Sequence, residues 1–84
     1  LVTRIASSAE TLLQEVAEFA TRIAVKPPLA TLYVKRAARA ALDLDLKKGL
    51  DLELDLFAML APTSDVKEAA QAFREKREPR FSGR

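Results

Sequence analysis

The sequence predicts an all-α chain: a short strand remnant at its start, then about four helices. Three observations carry that reading. Apolar residues recur at helical spacing in successive stretches, and prolines at 27, 28 and 62 fall between those stretches. Leu and Ala must build the interior, because only 6% of residues are aromatic and there is no tryptophan. Both residue types favour helix over strand.

Leu1 to Ile5 (LVTRI) is short and rich in β-branched residues, so residues 1–6 read as the end of a core strand or a linker, with no partner strand in this chain. Residues 7–84 form the helical part. Ser7 and Glu10 have capping-box spacing, which predicts that the first helix begins near Ser7. Leu12, Leu13, Val16, Ala17, Ala20, Ile23 and Ala24 give it one apolar face. Glu10, Glu15 and Glu18 sit toward its positive end, where carboxylates are favoured. Lys26 and the Pro27–Pro28 pair end it. Proline suits the first turn of a helix, so the second helix is expected from about Pro28 to Leu42. Its buried stripe is Leu29, Leu32, Tyr33, Ala37, Ala40 and Ala41.

Residues 43–56 (DLDLKKGLDLELDL) alternate apolar and polar, which on its face signals a strand. The segment runs on into Phe57-Ala58-Met59-Leu60-Ala61, where the alternation stops. At 100° per residue Leu46, Leu50, Leu54, Leu56, Phe57, Leu60 and Ala61 share a face, so a third helix over about Leu46–Leu60 is the better reading. Gly49 costs that helix roughly 1 kcal/mol relative to alanine. Pro62 stops it, and Thr63, Ser64 and Asp65 offer caps for a fourth, shorter helix reaching about Phe73 or just beyond.

Composition narrows function. Without cysteine there are no disulfides or thiolate metal sites, and without histidine no imidazole base or metal ligand. A formal charge of +2 is too small to argue for nucleic acid as a partner. No apolar run is long enough for a membrane span. The first residue is Leu1, so the chain is expected to be a piece of a longer protein.

Two features are candidates for function. Residues 73–84 hold five basic side chains (Arg74, Lys76, Arg77, Arg80, Arg84) against Glu75 and Glu78, with aromatic rings at Phe73 and Phe81. A ring beside a cationic cluster suits a ligand with a flat base and phosphates. A frayed, solvated tail is the plain alternative. The second feature is Glu53, which the projection puts within the apolar face of the third helix. A buried carboxylate needs a partner, and Lys35 and Arg36 on the second helix are the candidates for a structural ion pair.

KPPLATLYVKRAARAAL, GLDLELDLFAMLAPTSDVKEAAQAF and REKREPRFSGR, in that order and spacing, resemble the carboxyl-terminal third of the crotonase superfamily, which includes the enoyl-CoA hydratases and isomerases. The resemblance covers nearly the whole chain and rests on order and spacing rather than on one motif. It implies the helical trimerisation region of a crotonase-like α/β fold, with residues 7–84 packing subunits together and covering coenzyme A. It implies acyl-CoA as substrate, no separate cofactor, and a homo-oligomer, either a trimer or a dimer of trimers. The catalytic part would lie upstream: backbone N–H donors for the thioester oxygen and one or two glutamates have no counterpart here. Phe73 and Lys76 match family positions that contact the adenine end and phosphates of coenzyme A. Lys35 and Glu53 match recurrent family positions. Ala69 stands where the family usually has glycine. The implied activity of the whole protein is hydration of 2-enoyl-CoA, in the cytoplasm or an organelle matrix. A non-catalytic helical interaction module is the alternative, supported by the Leu-rich third helix.

Overall fold

The structure, a computed structural model, describes residues 2–84. Its order is α1 (Leu12–Ala24), α2 (Pro28–Ala40), α3 (Leu46–Leu60) and α4 (Ser64–Glu75), and the described residues form no strand. Leu1 lies outside the described residues, and 2–6 carry no regular structure, as befits a strand end with no backbone to pair with.

The first helix starts later than the Ser7–Glu10 spacing predicts. Residues 9–11 form a turn in which the Ser8 hydroxyl accepts the Thr11 N–H at 3.2 Å. Glu15, not Glu10, reaches back, accepting the Ser7 N–H and the Thr11 hydroxyl at 2.9 Å each. The same hydroxyl and carboxylate chemistry operates in a shifted register, and its hydrogen bonds hold the Glu15 carboxyl below its usual range.

Pro27 is extended and Pro28 opens α2 at a position whose N–H would be unpaired in any case. The α2 helix ends at Ala40, and residues 41–43 continue as turns. Asp45 caps α3, its carboxylate accepting the Lys48 N–H at 2.9 Å. The strand-like alternation of 43–56 is therefore overridden by a sound helix start and the unbroken Phe57–Leu60 run. Thr63 caps α4, accepting the Val66 N–H at 3.4 Å.

The helices α2 and α3 pack on each other and are the one pair in extensive contact among the described residues. Little is enclosed. Leu56 and Ala72 are the only buried apolar residues described, while Leu50, Leu54 and Phe57 are exposed. The radius of gyration is 16.2 Å, against about 12 Å for a compact domain of this length. The accessible surface is 7366 Å², against about 5,000 Å² for a folded monomer of this mass. The excess, about 2,400 Å², is surface that a self-contained domain would have covered.

Candidate functional site

Two regions answer to the sequence expectations: the corner where α4 meets the tail, and the groove between α2 and α3.

At the corner, α4 ends on Lys76, whose backbone is left-handed (φ 54, ψ 41). It is the only non-glycine residue with positive φ among those described. The Arg77 N–H bonds the Ala72 carbonyl at 3.0 Å and the Lys76 N–H that of Phe73 at 3.3 Å. This paired bonding closes a helix through a left-handed residue, a position usually filled by glycine. A side chain there costs roughly 1–2 kcal/mol. Phe73, three residues earlier, is 86% exposed. Lys76 is exposed and, within 4.0 Å, pairs with no carboxylate among the described residues. The structure thus places an unburied ring and a free ammonium at one helix end.

Beyond Lys76 the chain folds back antiparallel to α4 and is held by two carboxylates. Glu68 takes Arg77 in a two-pronged grip, Nη1 at 2.6 Å and Nη2 at 3.0 Å, and accepts the Arg80 N–H at 2.8 Å. Arg77 Nε also reaches Glu75 at 2.6 Å. The Arg77 hydrogen bond, with the Arg80 N–H behind it, lowers the Glu68 carboxyl to about 2. Asp65 is 4% exposed, the only buried charged residue described. It accepts the Ser82 N–H at 2.7 Å, the Gly83 N–H at 2.9 Å and the Ser82 hydroxyl at 3.3 Å. In return the Asp65 N–H and the Ser64 hydroxyl donate to the Arg84 carbonyl oxygen, at 3.2 and 2.6 Å. Gly83 (φ +76) lies against the Pro28 ring; a Cβ there would meet Pro28 Cγ at 3.4 Å. The tail therefore joins the end of the chain to the start of α2.

The basic tail divides by role. Arg77 is committed to Glu68 and Glu75, which holds it charged, while Arg74, Lys76, Arg80 and Arg84 form no ion pair within 4.0 Å among the described residues. The frayed-tail alternative does not describe residues 77–84. The sequence reading missed Asp65 and Glu68, treating Asp65 only as a cap. Their signal was present: acids three apart share a face of a helix, and a basic segment follows a helix stop.

The groove between α2 and α3 has a volume of about 920 Å³. Tyr33, Val34, Ala37 and Ala41 line one side, and Leu50, Leu54, Phe57 and Leu60 the other. Glu53 lines it too, so the projection placed it on the right face; the face itself is open, and Glu53 is exposed. No ion pair within 4.0 Å joins Glu53 to Lys35 or Arg36, both exposed. Water supplies what a partner would supply in a covered face, so the pair is not required in this chain alone. Ala69 lines a smaller cleft of about 70 Å³ with Pro27, Leu60 and Val66, where its methyl has room.

No helix of the described chain is long and apolar enough to cross a membrane. Residues 1–84 match the family model described as enoyl-CoA hydratase/isomerase. The chain is 39% identical over 72 residues to the 2,3-dehydroadipyl-CoA hydratase of Escherichia coli, covering 86% of this chain and 28% of that protein. It superposes on a crystal structure of enoyl-CoA hydratase from Bacillus anthracis with a TM-score of 0.85 at 33% identity, covering 89% of this chain and 29% of that one. For enoyl-CoA hydratase from Mycobacterium tuberculosis the TM-score is 0.88 at 26% identity, covering 99% and 32%. The chain thus spans less than a third of each of these proteins, and the open four-helix arrangement is one that solved structures contain.

Proposed function

This chain belongs to the enoyl-CoA hydratase/isomerase family, and we propose that it is the carboxyl-terminal helical part of an enzyme acting on acyl-CoA thioesters, with hydration of a 2-enoyl-CoA as the whole protein's reaction. Within that enzyme residues 7–84 serve binding and assembly rather than bond making. Phe73 and Lys76 hold the nucleotide end of coenzyme A, the ring against the adenine and the ammonium on phosphate. Coenzyme A enters as part of the substrate, with no separate cofactor. Cytosol or an organelle matrix suits a cysteine-free chain.

The observation that carries this reading is Lys76. A left-handed helix end is cheapest with glycine, and here it carries a lysine beside an exposed phenylalanine. Strain retained at one residue points to use of its side chain. A nucleotide contact is made equally in the ground and transition states, so its loss raises KM and spares kcat.

Homo-oligomerisation, as a trimer or a dimer of trimers, is the second part of the proposal. Its support is the uncovered area of about 2,400 Å², which is the scale of an extensive subunit interface. Unpaired cations on α2 (Lys35, Arg36, Arg39) and acids on α3 (Glu53, Asp55) add charge complementarity between copies. In such an assembly Glu53 meets Lys35 or Arg36. This reading absorbs the interaction-module alternative, since the face in question is the assembly face.

The test uses the full-length enzyme. Lys76→Ala and Lys76→Gly both raise KM for the intact acyl-CoA about 10–100-fold, the loss of one charge-assisted phosphate contact. Both leave KM for the pantetheine thioester, which has no nucleotide, unchanged. Restoration of KM by glycine, or equal losses on both substrates, would show that the position matters for backbone or folding alone.

A further inference from the structure

The two carboxylates that hold the tail do more than tidy a chain end. Asp65 and Glu68 lie three residues apart on one face of α4, about 4.5 Å along its axis. Arg80 and Ser82, which they hold, are two residues apart, a span of at most about 7 Å. The spacings match well enough for two rungs of one ladder, tilted across the helix. Its lower rung is Glu68 on Arg77 and the Arg80 N–H; its upper rung is Asp65 on Ser82 and Gly83. Lys76 is the turn from which the ladder hangs, one residue before Arg77.

A left-handed lysine is not self-supporting. The alternatives are cheaper for the backbone, so something must hold the turn. The neighbouring residue does so: Arg77 is gripped by Glu68 and Glu75 and bonded through its N–H to Ala72. With Arg77 occupying Glu68 and Glu75, the Lys76 ammonium lies within 4.0 Å of neither carboxylate. It is left free beside Phe73.

We infer that Asp65, Glu68 and Arg77 form a latch that fixes the turn at Lys76 and so presents Lys76 and Phe73 together for nucleotide binding. These are positioning residues; none is required to touch the ligand. The inference rests on the nucleotide reading proposed above. It predicts that binding is weakened by opening the latch even when both contact residues are intact.

The experiment is done on the full-length enzyme, with latch variants that leave Phe73 and Lys76 alone. Glu68→Gln removes the charge that grips Arg77. Ser82→Asp sets a second carboxylate against Asp65 while leaving both of the tail's backbone donors in place. Hydrogen exchange at the Ser82 and Gly83 amides reads the latch directly and should rise at least about tenfold in both variants. KM for the intact acyl-CoA should rise about five- to tenfold, as when the binding-competent fraction falls to between a tenth and a fifth. Neither kcat nor KM for the pantetheine thioester should move. Adding Glu68→Gln to Lys76→Ala should raise KM by less than it does in the wild type, because the latch acts largely through that lysine. If Lys76→Ala raises KM and the latch variants do not, the latch is overturned and the nucleotide reading stands. If Lys76→Ala itself leaves KM unmoved, both fall. A KM rise shared equally by the two substrates overturns the latch as a positioning device and assigns it to folding.

Discussion

Replacing Phe57 by glutamate should turn the isolated 84-residue chain from an associating species into a monomer. Phe57 is 70% exposed and Leu54 66%, both on the groove side of α3. Full burial of such a side chain contributes about 1.5–3 kcal/mol, so the exposed part of each leaves roughly 1–2 kcal/mol unrealised. When two copies meet through this face, four such side chains are covered, or about 4–8 kcal/mol before the entropy of association is subtracted. Phe57→Glu removes two of the four and places a carboxylate in the contact. The loss of about 2–4 kcal/mol weakens association on the order of a hundredfold. Met59→Glu is the control, because Met59 is also exposed but does not line the groove. Sedimentation velocity from about 1 to 100 µM spans the micromolar range in which such contacts form, and uptake of a hydrophobic dye reports the open face. A wild-type chain that sediments as a sharp monomer throughout, without taking up dye, would refute the reasoning. Equal effects of the two substitutions would locate the contact elsewhere.

Three further outcomes are expected. The chain alone should not hydrate crotonyl-CoA above the buffer rate, since the proposal places the fixed donors for a transition-state oxyanion in the upstream part of the protein; loss of enoyl absorbance is the measurement. Glu53→Ala should move the opening free energy of α3 in the isolated chain, read by hydrogen exchange, by less than about 0.5 kcal/mol, as for an exposed residue. In the assembled full-length enzyme it should cost about 3–5 kcal/mol by leaving Lys35 or Arg36 unpartnered, and an unchanged melting temperature there would remove the proposed pair. The lower rung of the latch should also fail in acid. The Glu68 carboxyl is lowered from 4.5 to about 2, so its support is complete above pH 4.5 and is lost as pH falls through about 2. Exchange at the Arg80 amide followed between pH 5 and pH 2 checks this, and early loss above pH 4 would place the carboxylate outside the grip of Arg77.

Much of the backbone was legible in the sequence because its signals are local. The third helix was read to the residue, from the leucine spacing after Asp45 and the stop at Pro62. The first helix was not. Ser7, Ser8 and Thr11 are all competent hydroxyls, and Glu10 and Glu15 are both reachable carboxylates, so the register depends on a turn that the capping pattern does not encode. Glu53 shows a different limit. A helical projection says which residues share a face, and Glu53 does line the groove with Leu50, Leu54 and Phe57. It does not say whether anything covers that face. The tail shows a third. Its charges were counted as one basic cluster, yet Arg77 is spent on Glu68, nine residues back across a turn, a pairing visible only once the chain reverses.

The dimensions of the molecule, 43 by 40 by 18 Å, have a consequence for its stability. A helix with its side chains is about 10–12 Å thick and packed helices lie about 8–10 Å apart, so 18 Å is at most two layers. Such a shape is rind without kernel. Most residues have neighbours on one side and water on the other, and α1 has no extensive contact with another helix. Opening one helix then costs little for the rest, and the chain cannot melt as one cooperative unit. Its ordered population follows mass action: whatever lies against the flat faces raises it, and dilution lowers it. Thinness thus leaves the stability of these helices to whatever covers their faces.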